Sequence, residues 1–196
     1  MAENRDFGAK SRPTSRGTET SKNKKNVKKM GKKKSEYGRQ LQEKQRVKDL
    51  YGMREKQFKR FFQLAIHSFG APADNLLSLL ERRLDSVVYR LKMSISRTQA
   101  RQIIVHGHIL VNDKKVYSPS FLVSEKDVVS LANNVLSKKG FLENVIDKRL
   151  NIGIRVPDWL ELEKSSRRGR VLNLPSVEEL KKQDIQGHLI VELYSK

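Results

Sequence analysis

The chain contains no cysteine among its 196 residues, which excludes disulfides and thiolate metal sites and fits a reducing compartment. No apolar run approaches the roughly 20 residues needed to span a bilayer, and no signal-peptide core follows Met1. The four histidines, His67, His106, His108 and His188, lack metal spacing: there is no His-Glu-x-x-His and no cysteine partner. Neither a Gly-x-Ser-x-Gly elbow nor a Gly-x-x-x-x-Gly-Lys-Ser/Thr loop occurs, so no catalytic motif and no cofactor are indicated. Negative charge is also scarce. The 22 Asp and Glu residues face 41 Lys and Arg, giving +19 and a pI near 10.2. That imbalance points to a polyanion as the partner.

The positive charge is uneven. Residues 1–60 hold 20 basic and 7 acidic residues, so +13 of the +19 lies in the first third. Residues 1–34 offer only Phe7, Val27 and Met30 for burial, among twelve basic and three acidic residues, and are expected to form a disordered basic arm. A transit peptide is the rival reading; Glu3, Asp6 and the missing apolar stripe argue against it.

From residue 35 to about 78 the pattern predicts a helical domain. Tyr37, Leu41, Val47, Leu50 and Tyr51 mark one helix, closed by Gly52. Phe58, Phe61, Phe62, Ala65, Ile66 and Phe69 form a second stripe at helical spacing, read as core and not as base-stacking platforms. Arg54, Lys56, Lys59 and Arg60 fall on its opposite face, available to phosphates.

Residues 79–196 are expected to form an α+β domain with a core RNA-binding module at 79–131. Asp74 is the expected cap of a helix running through Leu91, with Leu80, Leu84, Val87, Val88 and Leu91 on its apolar face. Ser96 lies three residues before Gln99, a capping-box spacing that starts a second helix at Arg97, and Gly107 stops it. His108–Val111, the pair Asn112-Asp113 and Lys115–Tyr117 read as a tight hairpin. Beyond this, Val135–Leu150 reads as a helix. Trp159–Glu163 and Arg170–Leu174 read as a hairpin with Ser165, Ser166, Arg167 and Arg168 at its tip. His188–Tyr194 alternates like a closing strand. The count is about five antiparallel strands covered by helices.

Three basic clusters carry the expected chemistry. Arg82, Arg83 and Arg90, with Tyr89, lie on the long helix. Ser96, Arg97, Thr98, Gln99 and Arg101 surround the capped start of the next helix, where backbone N–H groups and guanidinium forks suit phosphate oxygens. Lys114 and Lys115 lie on the hairpin. His106 and His108 straddle the helix stop and are secondary candidates.

The helix–helix–hairpin of Glu81–Asp127 resembles the RNA-binding module shared by small-subunit ribosomal protein four, some pseudouridine synthases and bacterial tyrosyl-tRNA synthetases. Two flanking blocks narrow the resemblance to the ribosomal protein four family: Ser35-Glu36-Tyr37-Gly38 with LQEKQRVKDLYGMREKQFKRFF, and Leu174-Pro175-Ser176 with HLIVELYSK. It covers roughly residues 35–196. Relatives often carry a cysteine zinc site in the arm, which this chain lacks. Lys92 stands where the family usually turns on glycine, Asn112-Asp113 replaces Asn-Gly, and Glu125-Lys126-Asp127 replaces Pro-Gly-Asp, so turn geometry is where departure is expected.

The resemblance implies a structural protein of the small ribosomal subunit, bound early in assembly to the 5′ domain of its RNA. It further implies contact with the ribosomal protein numbered five, a place near the mRNA entry, an influence on decoding accuracy, and a cytoplasmic ribosome. RNA shape is the expected target, since side chains do not read the deep A-form major groove. An RNA-modifying enzyme or RNA-targeting factor with the same module is the alternative. Arg83-Leu84-Asp85 echoes the Arg-Leu-Asp of pseudouridine synthases, but Leu84 fits the buried stripe, and no catalytic domain surrounds Asp85.

Overall fold

A computed structural model describes residues 35–133, 140 and 155–195. The expected basic arm and the expected helix at 135–150 lie outside the described residues. Those described belong to one compact unit, residues 34–196. They form seven helices and a five-stranded antiparallel sheet, the α+β class that the sequence predicts.

Two helices open the unit. In α1 (Glu36–Leu50) the Ser35 hydroxyl caps the first turn by accepting from Gly38 N–H at 3.2 Å. The expected apolar stripe is only partly its inner face: Val47 and the following Tyr51 are buried in the core, while Tyr37, Leu41 and Leu50 are exposed and Gln40 and Glu43 are buried in their stead. Part of the packing is therefore polar. Gln40 donates to Glu192 at 3.0 Å, and Glu43 accepts from Gln186 N–H at 3.0 Å. In α2 (Glu55–His67), Phe58, Phe61, Phe62 and Ala65 are buried, whereas Ile66 is exposed and Phe69, beyond the helix end at His67, is exposed as well.

The expected long helix through Leu91 is broken. α3 (Pro72–Glu81) begins with Pro72 at its first position after Ala71, so Asp74 lies in the first turn and is not the cap. α4 (Leu84–Arg90) follows after a break at Arg82-Arg83, where Arg83 bridges to Leu122. α5 (Arg97–Val105) starts where expected: Ser96 Oγ accepts from Gln99 N–H at 3.1 Å, and Gln99 Oε1 accepts from Ile95 N–H at 2.6 Å.

The sheet has the order β2-β1-β3-β5-β4, with β1 (Ile109–Val111), β2 (Lys114–Lys115), β3 (Val128–Leu131), β4 (Leu160–Glu163) and β5 (Arg168–Val171). The β4–β5 turn spans Lys164–Arg167, so Arg168 lies on the strand and not at the tip. The substituted turns keep left-handed geometry without glycine: φ is +60° at Lys92, +50° at Asn112, +63° at Asp113 and +67° at Lys126. Asn112 and Asp127 brace this corner. The Asn112 amide donates to Asp127 at 2.8 Å, its oxygen accepts from Val128 N–H at 2.9 Å, and Asp127 accepts from Ser124 N–H at 2.7 Å.

The closing stretch is a helix, not a strand. After the short α6 (Val177–Lys181) comes α7 (Gly187–Ser195). Gly187 and Ile190 are buried, and Val191 and Tyr194 are partly buried, at i, i+3, i+4 and i+7. The alternation over so short an apolar run fits both periods, and packing decides for the helix. The strand expected there is supplied by Val128–Leu131.

Two apolar cores result. One lies under the sheet and joins Leu84, Val87, Val88 and Leu91 to Ile103, Ile104, Ile109, Val129 and Trp159. The other joins Tyr51, Phe58, Phe62, Leu76 and Leu80 to Ile190 of α7. Replacing the fully buried Ile190 with Ala removes core volume between α7 and the first helices. Thermal denaturation is expected to show a loss of about 2–5 kcal/mol; an exposed closing strand would predict almost none.

Candidate nucleic-acid interface

Between the two cores lies an ion-pair network built on two buried carboxylates. Glu81, the last residue of α3, is 1% exposed; Asp85, in the first turn of α4, is fully buried. Arg90 grips Glu81 with two hydrogen bonds of 2.9 Å, Arg97 reaches it at 3.4 Å, and the Tyr51 hydroxyl donates to it at 2.6 Å. Asp85 accepts from Arg83 at 3.1 and 2.7 Å and from Arg101 at 2.8 Å. The Arg97 guanidinium lies 4.6 Å from the Tyr51 ring centroid and 4.8 Å from that of Tyr89.

Arg101 extends the network to α1. Its two terminal nitrogens donate to the carbonyls of Tyr51 and Gly52, at the C-terminus of that helix. A cation placed there satisfies orphan carbonyls and meets the negative end of the helix dipole. Gly52 has φ +54°, and a Cβ on it would lie 2.6 Å from the Arg101 guanidinium. A side chain there would strain the turn and displace the guanidinium.

Burial works to raise the Glu81 carboxyl pKa. The hydrogen bonds and charge of Arg90, the charge of Arg97 and the Tyr51 hydroxyl outweigh it, so the group sits below its ordinary value of 4.5. The same contacts raise Tyr51: burial first, then the charge and hydrogen bond of Glu81. At the α1–α2–α7 junction, Glu55 is held down to about 2, chiefly by Lys48, with Lys44 and Tyr194 assisting against burial. Its side chain is half exposed, so solvent screening keeps that pair's contribution small.

Two family models match the chain: the S4 domain over residues 82–129, and the ribosomal protein S4/S9 N-terminal domain over residues 6–81. The small ribosomal subunit protein uS4 of Thermoanaerobacter pseudethanolicus is 50% identical over 165 residues, covering 84% of this chain and 77% of that one. That of Aquifex aeolicus is 49% identical over 170 residues, covering 84% and 78%. That of Chlorobaculum tepidum is 44% identical over 163 residues, covering 83% and 78%. The chain belongs to the uS4 family.

Within this uS4 chain the expected interface residues divide by burial. Arg83 is 2% exposed, with its charge paired to Asp85 inside the protein, which corrects the expectation that it faces RNA. Arg97 and Arg101 are 12% and 26% exposed and are tied inward, which corrects the expectation that both stand free on the helix surface. Arg90 is likewise bound to Glu81, and Arg82 donates to the Val123 carbonyl at 3.1 Å. Tyr89 is half-buried against Arg97. Lys56, Lys59 and Arg60 line the outer face of α2, Arg54 precedes its first turn, and all four are exposed. So are Ser96 and Thr98 at the start of α5, His106, Lys114 and Lys115 on the hairpin, and Arg168 on β5; Gln99, His108 and Arg167 are half-buried.

The start of α5 opens into a shallow depression of about 270 Å³, lined by Asp49, Leu50, Gly52, Tyr89, Ile95, Ser96, Arg97, Thr98 and Arg101. Sequence reasoning missed Glu81, because a single acid among arginines gives no periodic signal. It missed Arg170 too, an exposed strand residue paired with Val128. Asp85 spends both oxygens on guanidinium groups, which is an ion-pair role and not a catalytic one.

Because Glu81 titrates lower in the folded protein, the unfolded chain binds its proton more readily. Its stabilisation is complete above about pH 4.5 and is lost as pH falls through the folded pKa. Glu81→Gln is expected to lower stability at pH 7 and to flatten the fall in melting temperature below pH 4.5. Calorimetry across pH 2–7 reads both.

Proposed function

We infer that this protein is a structural constituent of the small ribosomal subunit that binds small-subunit ribosomal RNA directly and without turnover. The observation that carries the reading is the near-50% identity to uS4 proteins along most of the chain. The charge of +19 supports it, since burying the network arginines still leaves cations on several outer faces.

The proposed RNA contacts are Arg54 just before α2, Lys56, Lys59 and Arg60 on it, the capped start of α5 from Ser96 to Gln99, Lys114 and Lys115 on the hairpin, and Arg168 beside Arg167. Arg82, Arg90 and Arg97 contribute only the guanidinium edges that the network leaves open, and Arg101 is spent on Asp85 and the end of α1. Several basic faces on one compact body suit a junction where RNA helices converge. The proposed target is the 5′ domain of small-subunit RNA, engaged early in assembly by a cytoplasmic ribosome. The neighbouring ribosomal protein numbered five, a place near mRNA entry and an effect on accuracy belong to the same proposal. So does a division into a basic arm (1–34), a helical part (35–78) and an RNA-binding part (79–196).

Filter binding to a 5′-domain transcript tests the reading. With about 6–10 phosphates neutralised, affinity is expected to fall about 10³–10⁵-fold between 50 and 200 mM salt. Changing Lys56, Lys59 and Arg60 together to Gln is expected to shallow the slope by about three while the melting temperature holds. A slope near zero for the unsubstituted protein would rule out phosphate-led binding.

A further inference from the structure

The outer face of the β1–β2 hairpin carries a group of rings that the ion-pair network does not use. Leu110 pairs with Lys115, and Val116 N–H donates to the Ile109 carbonyl at 3.3 Å. Continuing that register sets Tyr117 opposite His108. Ile109 is buried and Val116 packs against the core, so their neighbours Lys115 and Tyr117 turn outward. Tyr117 is 60% exposed. His106 and His108 stack with ring centroids 5.9 Å apart and planes inclined by 24°.

The Tyr117 ring lies on the glycine that separates the two histidines in sequence. Gly107 has φ +69°, and a Cβ there would meet the Tyr117 ring at 2.6 Å, so the ring lies directly on its backbone. This contact holds one edge of the phenol and leaves most of the ring to solvent. Lys115 is exposed two residues away, on the same side of the strand.

We propose that Tyr117, with His106 and His108 beside it, is a stacking platform for an unpaired nucleobase of the bound RNA, whose phosphate meets Lys115. The proposal rests on the RNA-binding reading above and names what this surface takes: a single-stranded or extruded nucleotide, not duplex backbone. Bases inside an A-form helix are closed to a protein ring, whereas those of loops and bulges stack on Tyr and His. An aromatic ring accepts any base, and an adjacent ammonium complements the phosphate that accompanies it.

The test uses the full chain and a 5′-domain transcript of small-subunit RNA. Tyr117→Ala is expected to weaken binding about 5- to 150-fold at an unchanged salt slope, because stacking displaces no counterion. Tyr117→Phe is expected to bind like the unsubstituted protein, and Lys115→Gln to reduce the slope by about one. In Tyr117→Trp, RNA is expected to quench the new emission, the other tryptophan, Trp159, being buried. Unchanged affinity in Tyr117→Ala would overturn the proposal and assign the rings to a protein neighbour. Equal losses in the Ala and Phe variants, or unquenched emission from the bound Trp variant, would overturn it as well. Failure of the unsubstituted protein to bind the transcript would instead bring down the RNA-binding reading itself.

Discussion

Two carboxylates four residues apart, Glu81 and Asp85, are taken out of water across the break between α3 and α4. Such groups are tolerated only when paired and fully hydrogen-bonded. Four guanidinium groups do the pairing, from Arg83, Arg90, Arg97 and Arg101. These come from the turn before α4 (Arg83), from α4 (Arg90) and from α5 (Arg97 and Arg101), while Tyr51 and the Gly52 carbonyl bring in the end of α1. The network therefore ties the opening helices to the module that carries the hairpin. Removing Asp85 leaves the buried Arg83 without its counter-charge, a loss on the order of 3–5 kcal/mol.

That arrangement divides the labour among the basic residues. Arginine suits the interior because its planar fork satisfies two carboxylate oxygens at once and stacks on aromatic rings, as Arg97 does between Tyr51 and Tyr89. Lysine is a compact, strongly hydrated charge; Lys56 and Lys59 on α2 and Lys114 and Lys115 on the hairpin are exposed, as are Arg54 and Arg60, while Lys92 is buried. Counting Lys and Arg together hides this difference. A run of arginines in an RNA-binding module is partly its own mortar, and the phosphate-facing surface is smaller than the charge total suggests.

The sequence made the strongest local signals legible. The α5 cap at Ser96, its stop at Gly107 and the Asn112-Asp113 turn each depend on one or two side chains with a defined hydrogen bond or φ, so they appear where the residues stand. The inner face of α1 was legible only at Val47 and Tyr51, because the rest packs through Gln40 and Glu43, and a hydrophobic stripe finds neither. α7 was misread because so short a mixed segment, GHLIVELYS, fits either period until Ile190 and Tyr194 meet their core. Among candidate site residues, chemistry was legible and direction was not. Nothing in ERRLD says which arginine turns inward; the buried Glu81 and Asp85 decide it.

The most direct measurement is a paired one on Arg101→Gln: its melting temperature, and the salt slope of its binding to the 5′-domain transcript. With Arg101 committed to Asp85 and the end of α1, the variant is predicted to melt well below the unsubstituted protein and to keep its salt slope. A slope reduced by about one at an unchanged melting temperature would place that guanidinium on phosphate and contradict the account.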